Sequence, residues 1–216
     1  MPDQDVRLQH LKVWLDEQLA TVFENEGWGA VPPATLTAAS SDASFRRYFR
    51  WEGDGRSSVV MDAPPPQENC KPFVDIADFL RTCLINVPKI YAQDLDRGFL
   101  LLNDLGNKTF LDVINSSNAD ELFKDAIEAL LAFQQLPMTE PLPSYDVALL
   151  RRELELFPEW YVRAHLGVDF NEQQQAVWQR VSALLIDSAL APPKVLVHRD
   201  SMPRNLMLRI PTPGVL

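Results

Sequence analysis

Apolar residues recur at Leu8, Leu11, Leu15, Leu19 and Val22, a spacing of three and four that lays one stripe along a helix. The pattern predicts a leading helix over residues 3–26, ended by Gly27. The period then changes. Residues 34–39, 45–51 and 57–63 read as three short strands. Glu52-Gly53-Asp54-Gly55 is the turn between the second and third, because glycine supplies the positive φ that a hairpin demands. Pro64-Pro65-Pro66 forbids continuation as a central strand. Phe73, Ile76, Ala77, Leu80 and Leu84 mark a second helix, and residues 87–91 and 99–102 two further strands. From Thr109 the stripes are helical, over 109–115, 119–136, 145–166 and 172–190, with proline or asparagine in the breaks. No repeat or low-complexity tract is present. A sheet-rich stretch followed by a helical one predicts an α+β protein of two lobes, residues 1–105 and 106–216.

Composition narrows the partners. The chain has 216 residues, 46% of them hydrophobic, and no apolar run long enough to span a membrane. Met1-Pro2-Asp3-Gln4-Asp5 lacks the basic and apolar regions of a signal peptide, so a cytoplasmic protein is expected. The two cysteines, Cys70 and Cys83, suggest free thiols rather than a disulfide framework or metal site. A net charge of -10 argues against nucleic acid as a general partner, since phosphate backbones need a basic face. Any anionic ligand must then be held by a local basic patch.

The sharpest motif lies near the end, in His198-Arg199-Asp200-Ser201-Met202-Pro203-Arg204-Asn205. It fits the kinase catalytic-loop pattern H-R-D-x-x-x-x-N. Phosphoryl transfer needs a carboxylate at the attacking oxygen and a metal ligand at the phosphates, and four residues turn the chain between them. Four fixed residues would match by chance in a chain this long on the order of once in a thousand. Lys194 to Val197 reads as a strand entering the loop and Leu206 to Leu208 as one leaving it. Asp200 is the candidate general base or hydroxyl-orienting group, and Asn205 the candidate metal ligand. Arg204 either counters charge on the transferring phosphoryl group or is a surface arginine. His198 is expected to fix the loop rather than carry protons.

With this motif the chain resembles the aminoglycoside phosphotransferase family, a small-molecule branch of the protein-kinase-like fold. Ser44 to Arg50, Met61-Asp62-Ala63-Pro64-Pro65, Asp104-Leu105-Gly106 and His198-Arg199-Asp200 resemble one branch of it in particular. Members of that branch are bacterial kinases that phosphorylate the anomeric hydroxyl of N-acetylmuramate and N-acetylglucosamine in cell-wall sugar recycling. The resemblance implies a small sheet-rich N-terminal lobe, a helical C-terminal lobe, ATP with Mg2+, and a sugar as acceptor. It also implies a functional link to a sugar-1-phosphate nucleotidyltransferase. Three departures stand out. The family's third strand ends with a lysine that pairs with phosphates and with a helix glutamate, whereas here it ends Val59-Val60-Met61-Asp62. A cation must come from elsewhere, Arg46 or Arg50, with Glu68 the nearest glutamate to pair it. Ser201 stands where the sugar kinases usually carry an aromatic. The family's second metal-binding aspartate falls due just past Leu216, so the resemblance implies a truncated chain with at most trace activity.

No G-x-G-x-x-G and no G-x-x-x-x-G-K-[ST] occurs, which removes Rossmann and P-loop readings. The small residues Ser40 to Ser44 lie between two predicted strands and can bring backbone N–H groups and the hydroxyls of Ser41 and Ser44 near phosphates. On the next strand, alternation puts Arg46, Tyr48 and Arg50 on one face and Phe45, Phe49 and Trp51 on the other. If the aromatic face packs, the arginines face the nucleotide and Tyr48 lies against adenine. Backbone groups from Asn103 to Leu105 would read the adenine edge. Pro158 should kink its helix and free a carbonyl. Beside it Trp160 either stacks on the sugar, with Glu159 accepting hydroxyl hydrogen bonds, or packs in the core. Rival readings are a kinase for another hydroxylated small molecule, aminoglycosides included, and a nucleotide-binding pseudokinase or interaction module.

Overall fold

The structure is a computed structural model that describes residues 2–41, 45–136 and 142–208. It begins with helix α1 (Pro2–Asn25), followed by strands β1 (Thr35–Ser41), β2 (Arg47–Gly53) and β3 (Arg56–Asp62). Helix α2 (Lys71–Thr82) precedes β4 (Ile90–Asp94) and β5 (Phe99–Asn103). The five strands form one antiparallel sheet in the order β1-β2-β3-β5-β4. The turn from β2 to β3 runs through Asp54 and Gly55 at φ 51° and 70°. Two positive φ angles match the right-handed twist of the strands they join.

Central strands β3 and β5 are buried on both faces, and alternation sorts their residues between two cores. Val60, Phe99 and Leu101 face α1, where they meet Leu11, Trp14, Leu15, Leu19, Val22, Phe23 and Trp51. Trp14 lies 5.6 Å from Phe99, ring centre to ring centre. Met61, Leu100 and Leu102 lie in the second core, with Ala63, Cys70 and Val74. Each fully buried apolar side chain contributes roughly 1.5–3 kcal/mol. The six from α1 therefore contribute on the order of the whole net stability of a typical domain, and the helix is integral to this sheet. At Gly98, at φ +72°, an added Cβ would sit 1.9 Å from the Ala63 carbonyl oxygen. The closeness lets Ala63 N–H donate to Gly98 O at 2.8 Å.

The helical elements are α3 (Phe110–Val113), α4 (Ala119–Gln134), α5 (Val147–Leu156) and α6 (Glu172–Leu190). By packing, Met1–Ala126 with Asp200–Leu216 form one compact unit and Ile127–Arg199 a second. Three elements differ from expectation. The helix expected over 145–166 with a kink at Pro158 is α-helical from Val147 to Leu156 and π-helical over Phe157–His165. Pro158, at the start of that segment, has no N–H to give, and the turns after it widen, as in the bond from Leu166 N–H to Tyr161 O at 3.0 Å. Residues 194–197 form no strand, because no ladder partner lies beside them among the described residues. Phe45 and Arg46 precede β2, leaving Phe45 exposed rather than on the packed face with Phe49 and Trp51.

Candidate active site

The loop after Asp200 is held by its own asparagine. Pro203–Asn205 makes a single 3₁₀ turn in which Asn205 N–H donates to Met202 O at 2.8 Å. From that turn the Asn205 Nδ2 donates to Asp200 Oδ2 at 2.7 Å and to Asp200 O at 2.9 Å. The carboxylate is thereby oriented, and the amide's orientation is fixed with it. A fixed Nδ2 makes Oδ1 the atom that would face a cation. Mg2+ keeps several waters and takes only one or two protein oxygens besides phosphates, so one amide oxygen fits a share of its shell. Among the described residues no group of three or more histidine, cysteine, aspartate or glutamate side chains converges on a metal position.

The same loop is pinned beyond Asn205. Leu206 O accepts from Phe110 N–H and Leu208 N–H donates to Lys108 O, both at 2.8 Å, while Met207 bridges Thr109 in antiparallel fashion. Thr109 caps α3 reciprocally with Asp112, whose N–H donates to Thr109 Oγ1 at 3.3 Å while its carboxylate accepts from Thr109 N–H at 2.8 Å. These bonds hold the Asp112 carboxyl below its ordinary range, the Thr109 backbone N–H acting most strongly and the hydroxyl next. Asp200 and Asn205 are thus tied to the stretch that leaves β5. Arg204 is exposed beside Asn205.

Arg199 adopts φ 69°, a left-handed conformation that a non-glycine residue holds only where its surroundings enforce it. Its Nη2 donates to Glu153 Oε1 at 2.7 Å, and its guanidinium lies 5.2 Å from the centre of the Tyr145 ring. The His198 ring is 6.1 Å from that of Phe133. Both residues belong to the second unit, and His198 is exposed.

On the sheet, Arg46 donates Nε–H to Glu68 Oε2 at 3.0 Å, and Glu68 Oε1 accepts the Phe45 backbone N–H at 3.1 Å. Burial works against the Arg46 charge, but the bonds to Glu68 and the Tyr48 hydroxyl overcome it and raise the guanidinium's pKa further. Glu68 is thus paired with Arg46. Tyr48 packs against the second core and is paired in register with Met61. Arg50 donates to both carboxylate oxygens of Asp104, at 2.7 and 3.1 Å, and to Gly106 O at 2.9 Å. Burial alone would raise the Asp104 pKa; the bonds from Arg50, the Gly106 N–H and Ser57 hold it below the ordinary value.

Asn103, expected among the base-reading residues, exchanges bonds with Lys89. Its N–H donates to Lys89 O at 2.9 Å and its Oδ1 accepts Lys89 N–H at 2.7 Å. Leu105 is half-buried between Asp104 and Gly106. Ser41 ends β1, its side chain outside the described atoms, and Ser44 lies outside the described residues altogether. Glu159 and Trp160 are both exposed in the second unit, Trp160 at 66%, so the indole is not a core residue.

One cluster escaped the sequence reading. Asp62, fully buried, accepts from Arg7 of α1 at 2.6 Å and from Arg47 of β2 at 2.9 Å. The sequence singled out position 62 as the end of a strand without a lysine and as part of a stretch carrying the family resemblance, and not as a buried charge. A lone aspartate in the apolar run Val59-Val60-Met61 was the available signal.

Residues 35–216 match the family model described as the phosphotransferase enzyme family. The chain is 69% identical over 216 residues to an N-acetylmuramate/N-acetylglucosamine kinase of Pseudomonas putida, covering 100% of this chain and 64% of that protein. A protein of the same name from Pseudomonas aeruginosa is 59% identical over 212 residues, 98% of this chain and 63% of its own length. One from Neisseria meningitidis is 42% identical over 186 residues, 84% of this chain and 55% of its own. The chain thus spans a little under two thirds of the length of the Pseudomonas relatives. A family model matched from β1 to the last residue, on a five-stranded α+β sheet followed by helices and an H-R-D loop, shows that the chain belongs to the phosphotransferase enzyme family.

Proposed function

We propose that the chain carries the ATP-handling and base-bearing parts of a kinase for the anomeric hydroxyl of N-acetylmuramate or N-acetylglucosamine. The observation that carries this reading is the Asp200–Asn205 bond in a loop whose tail pairs with residues 108–110. That pairing brings a carboxylate and a candidate metal ligand to the end of the sheet from nearly a hundred residues away. The names of the relatives support the choice of sugar.

In this reading Asp200 accepts the proton of the sugar's 1-hydroxyl as O1 forms its bond to the γ-phosphorus of ATP. The bond from that phosphorus to the bridging oxygen breaks, and ADP leaves with the electron pair. An anomeric hydroxyl is more acidic than an ordinary alcohol, so a positioned carboxylate suffices. Mg2+, held in part by Asn205, supplies charge neutralisation at the phosphates. Arg46 sits on the phosphate side with Ser41 and Ser44, Tyr48 lies against the base, and the backbone from Asn103 to Leu105 reads its edge. Arg204 counters charge on the moving phosphoryl group, and Trp160 and Glu159 hold the sugar. The product is an activated sugar phosphate, the substrate class of a nucleotidyltransferase, and ATP places the reaction in the cytoplasm.

The test is a panel of amino sugars and aminoglycosides with labelled ATP, using a chain extended past Leu216 to the length of its relatives. Phosphate should appear on N-acetylmuramate or N-acetylglucosamine, and Asp200→Asn should lower turnover by about two to four orders of magnitude with ATP affinity nearly unchanged. Wild-type turnover in that variant, or transfer to aminoglycosides alone, overturns the reading.

A further inference from the structure

We propose that Arg50 is a positioning residue for the base end of the nucleotide, acting through Asp104, and not a phosphate ligand; this deepens the kinase reading and rests on it. Arg50 sits mid-strand in β2, paired with Val59, which is in turn paired with Leu102 of β5. Its side chain crosses β3 to reach the segment leaving β5. There the guanidinium fork takes both oxygens of Asp104 and the Gly106 carbonyl, while Gly106 N–H returns a bond to Asp104 Oδ1 at 2.9 Å. Gly106 adopts φ +101°, with nothing within 4 Å of an added Cβ, so its backbone conformation rather than crowding calls for glycine there. Asn103 is fixed from the other side by its two bonds to Lys89. Residues 103–106 are thus clamped at both ends, with Leu105 between. A fixed row of backbone donors and acceptors is what recognition of a base edge requires, and clamping it in advance removes the ordering cost at binding.

The alternative, that Arg50 reaches for phosphate, has a specific cost. The guanidinium would have to leave a carboxylate that is only 6% exposed and that two of its nitrogens already engage. A nearly buried carboxylate stripped of its cation is a severe penalty, whereas Arg46 on the neighbouring stretch needs no such rearrangement of the hinge.

The experiment is calorimetric binding of adenosine, Mg·ATP and Mg·tripolyphosphate to the full chain carrying Arg50→Lys, Asp104→Asn, or both. Lysine keeps the charge but not the fork, and asparagine keeps the shape but not the charge, so both variants should fold. Each single variant should weaken adenosine and ATP by the same factor, about tenfold, and leave tripolyphosphate within about twofold. The double variant should be no worse than the worse single, because the two residues act as one device. Weakened ATP and tripolyphosphate with unchanged adenosine would make Arg50 a phosphate ligand and overturn the proposal. So would equal weakening of all three ligands, the mark of a merely structural pair. Wild-type protein that binds none of the three would instead sink the kinase reading, and this inference with it.

Discussion

Asp62→Ala should destabilise the sheet-bearing unit by about 3 kcal/mol, the lower end of the range for removing one partner from a buried ion pair. The figure follows from the burial of the three groups. The Asp62 side chain is 0% exposed, while Arg7 and Arg47 are 25% and 26% exposed. With the carboxylate gone, the two guanidiniums can turn partly to water, so their desolvation is not lost in full. The carboxylate also joins α1 to β2, which means that its removal loosens the helix supplying six of the ten buried residues in the first core. Urea unfolding followed by tryptophan fluorescence is a suitable assay, because Trp14 and Trp51 lie in that core. Replacing all three groups together, with Arg7→Met, Asp62→Leu and Arg47→Met, should recover most of the loss, since an apolar cluster is often as stable as a buried ion pair. A single variant within about 0.5 kcal/mol of wild type, on the scale of an ordinary surface change, would refute the reasoning. A triple variant as unstable as the single would show that unpaired charge was not its source.

Arg46→Ala should weaken Mg·ATP about fivefold more than adenosine, a modest factor because the guanidinium is partly exposed; equal effects on both ligands, or none, move the phosphate role away from Arg46. Trp160→Ala should raise the sugar's KM several-fold with the KM for ATP unchanged, as loss of a stacking face predicts. Its exposure means that the melt should not move, and a lost cooperative transition would return the indole to a packing role.

Periodicity revealed what burial enforces. The limits of α1, α2 and the five strands fall within three residues of those expected, because faces that pack must repeat every 3.6 or 2 residues. Where that pressure stops, the reading overran. Leu84 continues the apolar stripe of α2, yet the helix ends at Thr82 and Leu84 stands 94% exposed at φ 60°. Val195-Leu196-Val197 has the composition of a strand, but a strand is made by its neighbours, and composition carries no information about those. The H-R-D loop was legible because phosphoryl transfer fixes both residue type and spacing. The anchor of its tail on residues 108–110 was not, since nothing in either segment names the other. The Arg46–Glu68 pair was half legible, found by asking what replaces a lysine. Arg50–Asp104 was hidden because the side chain crosses an intervening strand whose place in the sheet no local pattern states.

Three arginines within five residues, Arg46, Arg47 and Arg50, read as one basic patch in sequence, yet each is held by a different carboxylate. That arrangement explains how a chain of net charge -10 keeps cations on this stretch without a standing positive field. It also ranks them as phosphate ligands. Arg47 is committed to Asp62 on the α1 side, against a residue with no access to water. Arg50 spends two nitrogens on Asp104, whose oxygens also hold the Gly106 backbone. Arg46 gives Glu68 its Nε at 3.0 Å and also bonds the Tyr48 hydroxyl, and Glu68 keeps a second partner in Phe45 N–H if the guanidinium moves. In the proposed reading an incoming polyphosphate would exchange with the carboxylate that holds its arginine least, and Glu68 engages Arg46 through the Nε bond at 3.0 Å. Under the proposed kinase reading, the order of exchange rather than the number of cations makes Arg46 the first candidate to stand in for the absent lysine.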